Sequence, residues 1–156
     1  MEFKNNIEIK IIPEMHLATV RSIGVQNMMK AYDQLISWAI TKKLFPKENV
    51  KMITVYHDSF KTTPADKVRM SAGMLLEEPM VADGDVLPEA LSSGKYIVGS
   101  YFIPHEEFGN AWNALFQWMN ENGFHYRNTP PFEIYHNNYQ DHPEKKSLVD
   151  FYIPVL

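Results

Sequence analysis

The sequence contains no cysteine. That absence excludes disulfides, thiolate metal sites and a cysteine nucleophile, and it is compatible with a reducing cytoplasm. Glycine is sparse, with seven residues scattered along the chain. None forms a Gly-x-Gly-x-x-Gly fingerprint or a phosphate loop, so nucleotide chemistry has no support. No stretch approaches the roughly 20 apolar residues of a membrane span. The first residues, Met1 to Asn6, lack the apolar run of a signal peptide. A soluble cytoplasmic protein, with no membrane association, is the expectation. The net charge of −4 lacks the basic excess of a nucleic-acid binder, so no direct nucleic-acid binding is expected. Six histidines occur. They form no His-Glu-x-x-His pattern or close helical pair, so no metal is expected. The serines lack a Gly-x-Ser-x-Gly turn, which argues against a serine hydrolase. No cofactor is implied.

What is present is apolar and aromatic: 45% hydrophobic and 13% aromatic residues in 156, enough to bury a full core. Ile7–Ile11 alternates and reads as a strand, and Leu17–Ser22 resumes it after Pro13. Met28, Tyr32, Leu35, Ile36 and Ala39 recur at helical spacing between Gln26 and Lys42. Strands follow at Met52–His57 and Val68–Leu76. The acidic, proline-bearing segment Glu77–Pro88 reads as a link. The order then recurs: a strand at Lys95–Phe102, a helix at Glu106–Asn122, and strands at Phe132–Tyr135 and Leu148–Val155. Gly123 is placed just past the second helix as a C-terminal cap.

Residues match as well as order. Ala31 to Trp38 lies over Ala111 to Trp118, at an offset of 80 (118 − 38). Val55-Tyr56-His57-Asp58 lies over Ile134-Tyr135-His136-Asn137, at an offset of 79 (135 − 56). Pro64 to Lys67 lies over Pro143 to Lys146 at the same offset. Three matches in order predict a duplication. The expected domain is one α+β unit made of two repeats, about 7–77 and 89–156. Tandem strand-helix-strand-strand halves would form an antiparallel sheet with two main helices on one face and a ligand groove on the other.

The stretch Thr129 to Asn138 holds the candidate site. Strand alternation puts Phe132 and Ile134 on one face, Glu133 and Tyr135 on the other. With the apolar pair toward the helix, Glu133 and Tyr135 are expected on the open face, and Met52, Thr54 and Tyr56 on its counterpart in the first half. A carboxylate among aromatic rings suits a cation, since the rings attract one and the carboxylate complements it. Glu133, Tyr56, Tyr135, Trp112 and Tyr96 are the expected ligand-binding residues. Trp112 reads more as core than pocket, and Phe132 and Tyr152 are looser candidates.

The Tyr56-His57-Asp58 and Glu133-Ile134-Tyr135-His136-Asn137 strands, each followed by a proline loop, resemble the GyrI-like small-molecule-binding domain. Gly24, Lys67-Val68-Arg69, Pro130-Pro131-Phe132 and the ending Asp150-Phe151-Tyr152-Ile153-Pro154-Val155 support this over residues 7 to 156. Ser71 departs from the pattern, in which an acidic residue is usual; Asp150 keeps it in the second half. The turn before each helix, Ile23-Gly24-Val25 and Ile103-Pro104-His105, departs as well. The resemblance implies a SHS2/SOUL-like fold shared with the effector-binding modules of AraC- and MerR-type regulators. It also implies an aromatic pocket with one buried glutamate, which maps onto Glu133. It implies a stand-alone binder that sequesters hydrophobic, cationic drugs or toxins. Alternatives are a hydrolase of electrophilic small molecules, with Glu133 and Tyr135 catalytic, and an inhibitor protein whose partner is DNA gyrase. No helix-turn-helix or coiled coil is read, so a transcription regulator is not expected.

Overall fold

The computed structural model describes residues 6–47, 50–138 and 141–156. Among the described residues, eight strands run in antiparallel pairs, with two main helices, an α+β fold. The chain divides into two compact units, Glu14–Ser92 and Ser93–Leu156, the latter joined by the N-terminal segment up to Pro13.

In the first unit the order along the sheet is β3 (Met52–Tyr56), β4 (Arg69–Leu76), β2 (Met15–Ile23), β5 (Leu87–Leu91). In the second it is β1 (Ile7–Ile12), β6 (Gly94–Pro104), β8 (Lys146–Pro154), β7 (Phe132–Tyr135). Each repeat is therefore a strand-helix-strand-strand unit preceded by one extra strand. The extra strands are exchanged: β1 pairs with β6 of the second repeat, and β5 pairs with β2 of the first. Reading Ile7–Ile11 as the start of the first half is thus corrected, because its hydrogen-bonding partner lies some ninety residues on, at Gly94–Gly99. The segment read as a link ends inside β5, whose Leu87 is paired with Thr19.

Helix α1 (Met28–Thr41) buries Ala31, Leu35 and Ala39 against Ala18, Val20, Ala72 and Met74. Helix α2 (Phe108–Glu121) buries Phe108, Ala111, Trp112, Leu115 and Met119. The 3.6-residue period of apolar side chains produces both stripes. Both helices end the same way. Gly123 N–H bonds Asn120 O and Phe124 N–H bonds Met119 O, with Gly123 at φ 76°. Lys43 N–H and Leu44 N–H do the same to Ile40 O and Ala39 O, with Lys43 at φ 61°. These paired bonds satisfy carbonyls that the last turn leaves without intrahelical donors. Glycine occupies the left-handed position without strain in α2, whereas lysine carries a Cβ penalty there in α1.

The sheet face away from each helix is lined by buried apolar side chains. In the first unit Leu17, Ile53 and Val55, on the face away from α1, are fully buried. In the second, Phe132 and Tyr96, away from α2, are as well. Strands with continuous buried runs, such as Ile53–Tyr56 and Phe132–Ile134, are covered on both sides.

Candidate functional site

The site is built from one helix and two strands of the second unit. β7 and β8 pair with Glu133 opposite Phe151 and Phe132 opposite Tyr152. Paired residues in antiparallel strands project to the same face. Phe151 stacks on the Trp112 indole of α2, with centroids 4.3 Å apart and planes 3° apart. Phe108 of the same helix meets Phe151 edge-on at 5.4 Å. Glu133 therefore points toward the helix, and it is 1% exposed.

Trp112 Nε1 donates to Glu133 Oε1 across 2.8 Å, and the Tyr135 hydroxyl donates to Oε2. Both carboxylate oxygens thus accept from aromatic side chains. Two such donors satisfy a charge that burial would otherwise leave costly. The indole N–H, a buried donor requiring a partner, is satisfied in turn.

Of the five expected ligand-binding residues, three converge: Glu133, Trp112 and Tyr135. They do so on the helix side, the reverse of the facing expected. Phe132, expected toward the helix, faces away and stacks on Tyr152 at 4.6 Å. Tyr96 joins that group, 5.5 Å from Phe132 and 5.9 Å from Tyr152, with the Arg127 guanidinium 5.0 Å over its ring. Tyr96 therefore lies on the opposite face of the sheet from Glu133. Burial raises the Tyr152 phenol, and the Asp150 charge adds to the effect. Tyr56 belongs to the first unit, buried with Phe60 edge-on at 4.7 Å. Sequence reasoning did not single out Phe151. The signal for it was the β7–β8 register, which sets Phe151 beside Glu133.

The first unit holds the same arrangement without the charge. Tyr32, the counterpart of Trp112, places its hydroxyl 2.7 Å from both Ile53 O and Thr54 Oγ1. Thr54 is the counterpart of Glu133. The side chain at this helix position reaches the same strand position in both repeats, but only the second supplies a carboxylate. Thr54 also packs on the helix side, and Met52 joins the α1 core, correcting their expected outward facing.

A second repeated feature ties strand ends together. His136 Nε2 lies 2.9 Å from Asp150 Oδ2. In the first unit Ser71 replaces the aspartate, and the carboxylate comes from the exchanged strand β5. Glu89 accepts from Ser71 Oγ at 3.0 Å and lies 3.2 Å from His57 Nε2, which is also 2.8 Å from Ser71 Oγ. Burial raises the Glu89 carboxyl, but His57, Ser71 and Thr19 outweigh it and hold the group below its ordinary value. The trio is not a hydrolytic triad. The carboxylate meets the same ring nitrogen as the serine, and the hydroxyl donates to the carboxylate, whereas a triad needs the carboxylate on the other nitrogen.

Residues 5–156 match the GyrI-like small molecule binding domain, and the chain belongs to that family. It is similar to the DNA gyrase inhibitor of Escherichia coli strain K12, 28% identical over 140 residues, covering 85% of this chain and 87% of that one. The DNA gyrase inhibitor of Salmonella typhimurium is 24% identical over 133 residues, covering 83% of each. Among solved structures, the EcmrR C-terminal domain superposes with a TM-score of 0.76 at 18% identity, covering 96% of both chains. SAV2435 bound to tetraphenylphosphonium gives 0.65 at 13% identity, over 100% of this chain and 94% of that one. A hydrolase from Listeria innocua gives 0.68 at 16%, over 99% and 94%. No helix among the described residues is long and apolar enough to cross a membrane.

Proposed function

We propose that this chain binds hydrophobic cations in the cytoplasm and sequesters them, with Glu133 as the counter-charge. The observation that carries the reading is the Trp112–Glu133 hydrogen bond inside an aromatic layer. An uncompensated carboxylate so deep would be costly, and the indole N–H and Tyr135 hydroxyl hold it in place. A bound cation would replace the indole N–H as the partner of Oε1, and the faces of Trp112 and Phe151 would add cation–π attraction. Because Trp112 is 8% exposed, binding requires the indole to move. The similarity to a protein bound to tetraphenylphosphonium supports the choice of ligand class. Titration with tetraphenylphosphonium should give saturable quenching of tryptophan emission, and most of that change should vanish in Trp112→Phe. An emission unchanged across the titration, with no heat of binding, would oppose the proposal.

A second reading uses the same pair as chemistry. The Tyr135 hydroxyl donates to the Glu133 carboxylate, so the pair can hold and pass a proton during hydrolysis of an electrophile. Similarity to a hydrolase supports it. A mass change in a panel of epoxides and esters, lost in Tyr135→Phe, would favour turnover; no change would leave binding. The names of the relatives support DNA gyrase as a protein partner. A gyrase supercoiling assay with added protein tests that directly, and undiminished supercoiling excludes it.

A further inference from the structure

The exchanged strands β1 and β5 are equivalent by the repeat, yet their outer edges differ. β5 carries Pro88, which has no N–H to offer a neighbour. β1 reads Ile-Glu-Ile-Lys-Ile-Ile, contains no proline, and among the described residues pairs with β6 on one side alone. Its central residues, Glu8 to Ile11, are exposed to solvent, Ile9 at 41% and Ile11 at 73%. Unprotected edges of this kind present a row of backbone donors and acceptors to any extended chain.

The charge pattern selects the partner. Ile7, Ile9 and Ile11 share one face of β1, and Glu8 and Lys10 share the other. Glu8 and Lys10 are already 3.5 Å apart along the strand, both well exposed. A second β1 laid antiparallel about a two-fold at Ile9 sets Glu8 opposite the partner's Lys10 and Lys10 opposite the partner's Glu8. It also sets Ile7 opposite the partner's Ile11, which completes an apolar row. Moving the axis one residue in either direction opposes two glutamates or two lysines, which is unfavourable. Self-complementarity about one residue is what an isologous interface requires.

We propose that β1 is a self-association edge, which a second copy of this chain extends antiparallel in the register centred on Ile9. A six-residue ribbon buries less than the roughly 1,200 Å² of stable interfaces, so the dimer is weak and forms with concentration.

Sedimentation equilibrium of the full chain, from micromolar to millimolar, tests this. The mass should rise toward that of a dimer. Glu8→Lys and Lys10→Glu should each weaken association by about tenfold or more, by setting like charges opposite. Both substitutions are at the surface and should leave the melting temperature and circular dichroism unchanged. Mixing the two variants should restore association, because each supplies the charges the other lacks. The double variant Glu8→Lys/Lys10→Glu should self-associate like the original chain. A monomer at every concentration overturns the proposal. So does a dimer indifferent to the single substitutions, or a mixture that stays monomeric.

Discussion

Trp112 on α2 and Glu133 on β7 are joined by a 2.8 Å hydrogen bond, and the residues that replace them in the first repeat, Tyr32 and Thr54, are joined at 2.7 Å. One helix-to-strand contact is thus built twice, once with a charge and once without. The same geometry recurs in both repeats, and only the second carries a carboxylate.

The two copies differ in cost when cut. Trp112→Phe keeps the aromatic stack on Phe151 but removes a donor from a buried carboxylate. It should lower the unfolding free energy by about 1–3 kcal/mol in urea denaturation. Thr54→Val removes a neutral hydroxyl, while Tyr32 can still donate to Ile53 O at 2.7 Å. It should cost about 1 kcal/mol or less. Equal losses would deny that the charge distinguishes the two contacts.

Acid sensitivity follows from Glu89. Its carboxyl is held below the ordinary 4.5 in the folded protein. The stabilisation is full above the unfolded value and is lost as pH falls through the folded one. Glu89→Gln should therefore flatten the decline in melting temperature between about pH 6 and pH 3. A variant with an unchanged decline would show that the His57–Ser71–Glu89 link contributes little to acid unfolding.

Helix ends offer a third test. Lys43 adopts the left-handed conformation that Gly123 adopts in the second repeat. Lys43→Gly relieves the Cβ penalty and should raise stability by about 0.5–1 kcal/mol, read as an increase in melting temperature. A loss would mean that the greater freedom of glycine in the unfolded chain outweighs the relief.

Much of the architecture was legible from residues alone. Two amphipathic helices, seven of the strands and the duplicated order followed from periodicity and from the aligned Trp38 and Trp118. The left-handed cap at Gly123 followed from its position. The facing of the strands did not. Phe132-Glu133-Ile134 is buried throughout, so alternation separates two faces without saying which meets the helix. The Glu133–Tyr135 pairing was legible because both residues sit two apart on one strand. Trp112 as their partner was weighed chiefly as core, since a helix stripe does not reveal which strand lies beneath it. The exchange of β1 and β5 was also hidden, because strand pairing over some ninety residues leaves no local trace.

Glu133 as counter-charge is tested most directly by calorimetric titration of the original chain and of Glu133→Gln. The titrants are tetraphenylphosphonium and triphenylphosphine oxide, a neutral molecule bearing similar rings. The glutamine amide oxygen can still accept from Trp112 and its amide N–H can donate to the Tyr135 hydroxyl oxygen, so the aromatic layer should persist. The account predicts that the original chain prefers the cation, and that the variant loses about tenfold or more of its affinity for the cation alone, as removal of a buried charged partner implies. Equal affinity of both proteins for the cation would contradict it.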